Sequence, residues 1–104
     1  MSTQKQIRQP YPLAPGDKDD FFWDWTAKLA KLGVGANVAG YSFVVPAGMT
    51  KLEDAQDSGV VRALLSMDAG TDEGKVFEVA CTIQTNQSPT RKLTRIIKFV
   101  AKTE

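Results

Sequence analysis

An all-β fold is predicted for this chain of 104 residues, and two features of the sequence carry the prediction. Apolar and polar residues alternate along about six or seven short segments, and a period of two is typical of strands with one buried face. Glycine, proline, asparagine and aspartate separate these segments at a spacing of roughly 8 to 15 residues. Together these features predict an immunoglobulin-like antiparallel β-sandwich of about seven strands, with one short helix and an extended N-terminal arm.

Residues 1–16 are predicted to form that arm, ahead of a sandwich domain at residues 17–104. Pro10, Pro12 and Pro15 fix the backbone φ angle and bias the residue before each toward extended conformations. A solvated tail is the alternative interpretation, since chain ends are commonly disordered. The arm carries apolar side chains that an extended segment could lay on a neighbouring surface, namely Ile7, Tyr11 and Leu13.

The first strand of the domain is predicted over the aromatic run that follows the arm. Aromatic residues favour strands, and alternation places Phe21, Trp23 and Trp25 on the buried face. From Thr26 to Leu32 the apolar spacing becomes helical, and Gly33 follows as a stop signal. A short helix is therefore predicted over these residues.

The middle of the chain contains one well-marked strand and one ambiguous segment. Tyr41, Phe43 and Val45 share one phase of an alternating run, which Pro46 ends. Residues 60–68 fit both an alternating strand and one apolar face of a helix. Their short length and the neighbouring strands favour a strand.

Alternation is clearest in the last third, where two strands are predicted to form an antiparallel hairpin across a turn at residues 86–89. Ile96 and Val100 interrupt the charged outer face of the second strand. We expect another segment, such as the arm, or a partner subunit to cover them. The side chains expected to point inward are Phe77, Val79, Cys81, Ile83, Leu93, Ile97 and Phe99.

Composition excludes much ordinary enzymology. The chain has no histidine and one cysteine, Cys81, which excludes Ser-His-Asp and Cys-His catalysis, His-ligated zinc and an internal disulfide. The net charge of +1 gives no general attraction to nucleic acid or to an anionic membrane. No apolar run approaches the roughly 20 residues that cross a bilayer. We therefore expect a soluble protein made in a cytoplasm, with no catalytic, cofactor or metal site.

An acidic cluster lies at the start of the domain. Asp17, Asp19, Asp20 and Asp24 supply the oxygen ligands that cations prefer. The central glycine and terminal glutamate of a calcium loop are missing, and Lys18 lies inside the cluster. A solvated acidic turn is the favoured interpretation.

The last strand is basic, and its charge allows three interpretations. Nucleic acid is one possible partner, and a charged edge strand that resists aggregation is the plainer explanation. The third is a head-to-tail contact between the acidic and basic regions of adjacent copies, closing into a ring. The basic residues are Arg91, Lys92, Arg95, Lys98 and Lys102.

Trp23 and Trp25 allow one further alternative. Aromatic faces hold sugars in many carbohydrate-binding domains, so this pair could form a carbohydrate site. Two residues at i and i+2 of a strand share one face, which favours a place in the core.

A set of short motifs follows a fixed order between residues 20 and 102. They are Trp23-Asp24-Trp25, Leu29-Ala30, Val45-Pro46-Ala47-Gly48, Ala69-Gly70, the strand from Phe77 to Thr85, and the strand from Arg95 to Val100. This ordered set resembles a family of small tailed-bacteriophage virion proteins described as fiber-tail adaptor proteins.

The resemblance implies a non-enzymatic virion structural protein, synthesised in the host cytoplasm and present in several copies, that joins the tail to fibers or another appendage. It implies tail or fiber proteins as partners, and no cofactor, nucleic acid or membrane. Another immunoglobulin-like virion role, head-to-tail joining or capsid decoration, is the first alternative, and a nucleic-acid or carbohydrate-binding module is the second. The residues expected to contact partners are Ile7, Tyr11, Leu13, Arg91, Lys92, Arg95 and Lys98.

Overall fold

The computed structural model describes residues 10–103, and these residues form seven strands and one short helix. Among them, no helix has the length and apolar character that crossing a membrane requires. The elements in chain order are β1 (Tyr11–Leu13), β2 (Lys18–Asp24), α1 (Thr26–Leu32), β3 (Val38–Val44), β4 (Met49–Asp57), β5 (Val60–Met67), β6 (Val76–Thr85) and β7 (Lys92–Ala101).

The strands form two sheets, which confirms the predicted β-sandwich. One sheet has the order β1-β7-β6-β3 and the other the order β2-β5-β4. This division of strands matches the immunoglobulin arrangement, in which the third, sixth and seventh strands share one sheet and the second, fifth and fourth share the other. One pairing departs from the predicted antiparallel sandwich, because β1 runs parallel to β7.

Alternating burial confirms the predicted phases of the central strands. Residues Val60–Met67 form a strand and not a helix, since every second side chain from Val61 to Met67 is buried. The hairpin of β6 and β7 is antiparallel, with Phe77 opposite Phe99 and Ile83 opposite Leu93. The buried apolar side chains of β5 and β6 are Val61, Ala63, Leu65, Met67, Phe77, Val79, Cys81 and Ile83.

Aromatic side chains join the two sheets. The ring centroids of Phe21 on β2 and Phe99 on β7 lie 4.7 Å apart in an edge-to-face arrangement. Tyr11 packs edge-on against Phe21 at 4.9 Å. Pairs of this geometry contribute roughly 0.5 to 1.5 kcal/mol beyond the burial of their surface.

Part of the arm expected at residues 1–16, ahead of a domain at residues 17–104, forms β1 and pairs with β7. Leu13 is only 6% exposed and belongs to the core, and its carbonyl accepts a hydrogen bond from Lys102 N–H at 3.2 Å. Among residues 10–103, the first strand of the sandwich therefore begins at Tyr11. Prolines favour extended backbone, and a short edge strand has that backbone.

Candidate functional site

Three connections meet at one end of the sandwich, and we call them the loop end. They are the α1–β3 connection at residues 33–37, the β4–β5 turn at residues 58–59, and the β6–β7 connection at residues 86–91. The turn is tied to the start of α1, because Trp25 N–H donates to Gly59 C=O at 2.9 Å.

Asn86 connects two of these loops through its main chain and its side chain. Its main-chain N–H donates to Asn37 C=O at 3.1 Å. Its side-chain Oδ1 accepts from Asn37 N–H at 2.9 Å, and its Nδ2 donates to Gly35 C=O at 3.0 Å. Because three bonds converge on one residue, the loops hold a fixed relative position.

The residues beside Asn86 extend this hydrogen-bond network. Gln87 Nε2 donates to Leu32 C=O at 3.0 Å and so satisfies a carbonyl at the end of the helix. The buried hydroxyl of Thr85 accepts from Arg91 N–H at 3.0 Å. These contacts fix both ends of the β6–β7 connection.

Val34 lies at the tip of the loop end and is fully exposed. It stands between Gly33 with φ +132° and Gly35 with φ +83°, backbone conformations that residues with a side chain rarely adopt. A cleft of ≈ 440 Å³ lies beside it, lined in part by Ala30 and Ser58. The fixed loops thus display one apolar side chain at the rim of a cleft.

A second candidate surface, which we call the open side, lies where β2 and the first half of β7 face each other. β1 covers β7 only from Phe99 to Ala101. Within residues 10–103, β2 therefore has one free edge and residues 92–98 of β7 have another. A cleft of ≈ 410 Å³ separates the edges, and the half-exposed side chains of Phe22 and Ile96 lie along it.

The opposite side of the sandwich is closed by polar contacts. Tyr41 on β3 donates its hydroxyl to Asp54 on β4 at 2.6 Å, and Lys51 also bonds to Asp54. The hydrogen bonds from Lys51 and Tyr41 lower the pKa of the Asp54 carboxyl, and the bond to Asp54 raises the pKa of the Tyr41 hydroxyl. Side chains therefore link the two sheets on both sides of the sandwich, through Tyr41 and Asp54 here and through Arg95 and Asp24 on the open side.

Arg95 is engaged within its own chain. Its Nη1 donates to Asp24 C=O at 2.9 Å, and its guanidinium carbon lies 4.6 Å from the centroid of the Trp25 ring. Arg95 thereby covers a buried tryptophan at one end of the open side. Its role in partner contact stays a prediction, and its contacts with Asp24 and Trp25 give it a structural role.

The other predicted contact residues are dispersed. Leu13, which was expected to contact a partner, has its side chain buried in the core of its own chain. Tyr11 is half-exposed, and Ile7 lies outside the described residues. The remaining basic residues Arg91, Lys92 and Lys98 are exposed, and Lys98 Nζ lies 3.8 Å from Glu78 Oε2.

Two of the acidic residues at the start of the domain bond to different partners within the chain. Asp20 Oδ1 accepts from Arg62 at 2.7 Å, whereas Asp24 Oδ1 accepts from Thr26 N–H at 2.9 Å at the start of α1. Hydrogen bonds from Thr26 hold the pKa of the Asp24 carboxyl below its ordinary value. Across residues 10–103, no three acidic or cysteine side chains come together as a metal would require.

Both tryptophans are buried, with exposed fractions of 3% for Trp23 and 1% for Trp25, so their predicted place in the core is confirmed. The loop end was missed by the sequence analysis, although the paired amides of Asn86 and Gln87 after a clear strand were a signal of loop bracing.

In comparisons with known proteins, no protein-family model and no curated protein matches this chain.

Proposed function

We propose that this chain is a non-enzymatic structural protein of a bacteriophage virion, where several copies join the tail to fibers or another appendage. The ordered motifs between residues 20 and 102 support the virion role. The proposed contact with the appendage is the loop end, and the observation that carries it is Val34, an exposed apolar side chain held on braced loops.

Preorganised loops suit a binding domain for an energetic reason. Binding is weakened when flexible loops must become ordered, because their conformational entropy falls. Loops that are already held in place by hydrogen bonds lose less entropy on binding. An apolar side chain that enters a pocket on a partner gains free energy by leaving water. Asn86 and Gln87 supply the bracing, and Val34 supplies the apolar contact.

The role in the particle is tested by locating the chain in purified virions of the phage that encodes it. Mass spectrometry of the particles should detect the chain, and immunogold labelling should place it on the tail near the fibers. Label on the capsid or at the head-to-tail junction would support the alternative virion roles instead. Absence of the chain from purified particles would overturn the proposal.

The contact is tested with Val34→Asp, and Leu52→Asp is the matched control because Leu52 is an exposed apolar residue on β4. We expect Val34→Asp to weaken binding to the purified appendage protein about ten-fold or more, since a charge would replace the apolar contact. The control should bind like the wild type. Equal binding by both variants would place the contact elsewhere, and equal melting temperatures would show that both are folded.

A further inference from the structure

The two edges of the open side carry opposite charges. β2 presents three exposed aspartates, Asp19, Asp20 and Asp24, whereas the free part of β7 presents Lys92, Arg95 and Lys98. An acidic edge and a basic edge on the same side of one molecule are complementary to the same pair of edges on a second copy.

The two edges run in opposite directions along the open side. Arg95 bonds to the carbonyl of Asp24, so these two residues lie at the same level. At the other end, Lys18 and Lys102 line one cleft. Residue numbers therefore rise along β2 as they fall along β7, and Asp20 lies near the level of Phe99 and Val100, just beyond Lys98.

The free edge of β2 offers main-chain groups at its centre. Alternate residues of an edge strand point their N–H and C=O away from the paired neighbour. Asp20 N–H points away from β5, because it donates to Asp19 Oδ1 at 2.8 Å, and Asp24 C=O is taken by Arg95. Asp20, Phe22 and Asp24 are alternate residues of β2, so the N–H and C=O of Phe22 also point away from β5.

The free edge of β7 also offers main-chain N–H and C=O groups that point away from its paired neighbour. Ala101 N–H points to the β6 side and donates to Lys75 C=O, whereas Lys102 N–H points to the β1 side and donates to Leu13 C=O. Even-numbered residues of β7 therefore direct their main chain away from β6. At Ile96, no strand among residues 10–103 covers that side.

We propose that a second copy of this chain binds to the open side, forming a two-fold symmetric dimer in which β2 of each copy lies against β7 of the other. Two symmetry axes could bring two open sides face to face. An axis across the strands would place β2 on β2 and β7 on β7, so like charges would meet. An axis along the strands places acidic β2 on basic β7 twice, and charge therefore selects it.

This axis makes two specific pairings. Asp20, which also accepts a hydrogen bond from Arg62 of its own chain, comes within reach of the long Lys98 side chain of the other copy, where the part of β7 that β1 leaves free ends. The half-exposed side chains of Phe22 and Ile96 come together near the centre, where their apolar surface leaves water. The dimer is independent of what the loop end binds.

The test is a charge exchange between Asp20→Lys and Lys98→Glu in the full chain, followed by sedimentation velocity. The wild type should form a dimer that weakens as salt rises. Each variant alone places like charges together twice, so its association constant should fall about ten-fold or more. An equimolar mixture of the two variants places opposite charges together at both contacts and should recover most of the wild-type association.

Several results would overturn the dimer. A wild type that stays monomeric at high concentration would mean that the charges keep free edges apart. Particles larger than a dimer would indicate a head-to-tail contact, and a mixture that fails to recover would remove the Asp20–Lys98 pairing. If either variant fails to fold by circular dichroism, Asp20→Asn and Lys98→Gln replace them, and each should weaken both the dimer and its salt dependence.

Discussion

Cys81 shows how a single side chain is governed by its surroundings. It is fully buried on β6, and burial raises the pKa of its thiol from 9.0 to about 11, while the neighbouring Trp25 side chain acts in the opposite direction. A thiol that stays protonated is a poor nucleophile, so Cys81 acts as a small apolar group in the core.

The raised pKa of Cys81 predicts how stability depends on pH. Below pH 9 the thiol is protonated in both the folded and the unfolded chain and contributes no pH dependence. Between pH 9 and pH 11 the unfolded chain loses the proton and the folded chain keeps it. The free energy of unfolding should therefore fall, by up to about 1.4 kcal/mol per pH unit.

The measurement is chemical unfolding at several pH values for the wild type and for Cys81→Ala. The variant removes the thiol and keeps the other groups that titrate in this range, so the difference between the two proteins isolates Cys81. A difference that stays constant from pH 8 to pH 11 would contradict the raised pKa.

Among the elements, β1 differs most from its expected role. It has only three residues and lies at a sheet edge, yet Leu13 enters the core and Tyr11 packs on the aromatic residues that join the sheets. β1 therefore stabilises the sandwich and is part of the domain.

Replacing Leu13 measures this contribution. Leu13→Ala removes buried methyl groups and leaves a cavity, so the free energy of unfolding should fall by about 2 to 5 kcal/mol. Leu52→Ala is the matched control, because Leu52 is 48% exposed and the same substitution there should cost far less. Equal losses in urea unfolding would mean that β1 does not pack as described.

The elements also show what the sequence could predict. The alternation of apolar and polar residues predicted β5, β6 and β7 and their buried faces, because a strand with one solvent-exposed face and one buried face has a period of two. β1 lacks this signal, since three residues between prolines show no period. The bracing by Asn86 joins residues 49 positions apart, and no local pattern encodes such a contact.

At the scale of the whole molecule, the sandwich is asymmetric about its core. Tyr41 and Asp54 join the sheets on one side, while the other side leaves the edges of β2 and β7 free within residues 10–103. The sheets are otherwise held by the hydrogen bond from Arg95 to Asp24 C=O and by packing, including the contact of Phe21 with Phe99. Separation of the sheets would therefore expose most of the core at once.

This arrangement predicts cooperative unfolding. Trp23 and Trp25 lie in the shared core, so their fluorescence reports sheet packing, whereas far-ultraviolet circular dichroism reports the strands themselves. The two signals should have the same midpoint in guanidinium chloride. Trp23→Phe leaves Trp25 as the single reporter and should preserve the agreement, and a fluorescence transition at lower denaturant would show that the sheets part first.

The parallel pairing of β1 with β7 also fixes how the molecule carries tension. The chain enters the sheet through β1 and leaves it at the end of β7, so the two strands lie side by side and point the same way. Opposite pulls on the two ends of the chain slide these strands along each other. The hydrogen bonds between the two strands are then loaded in shear and resist the force together, instead of breaking one after another.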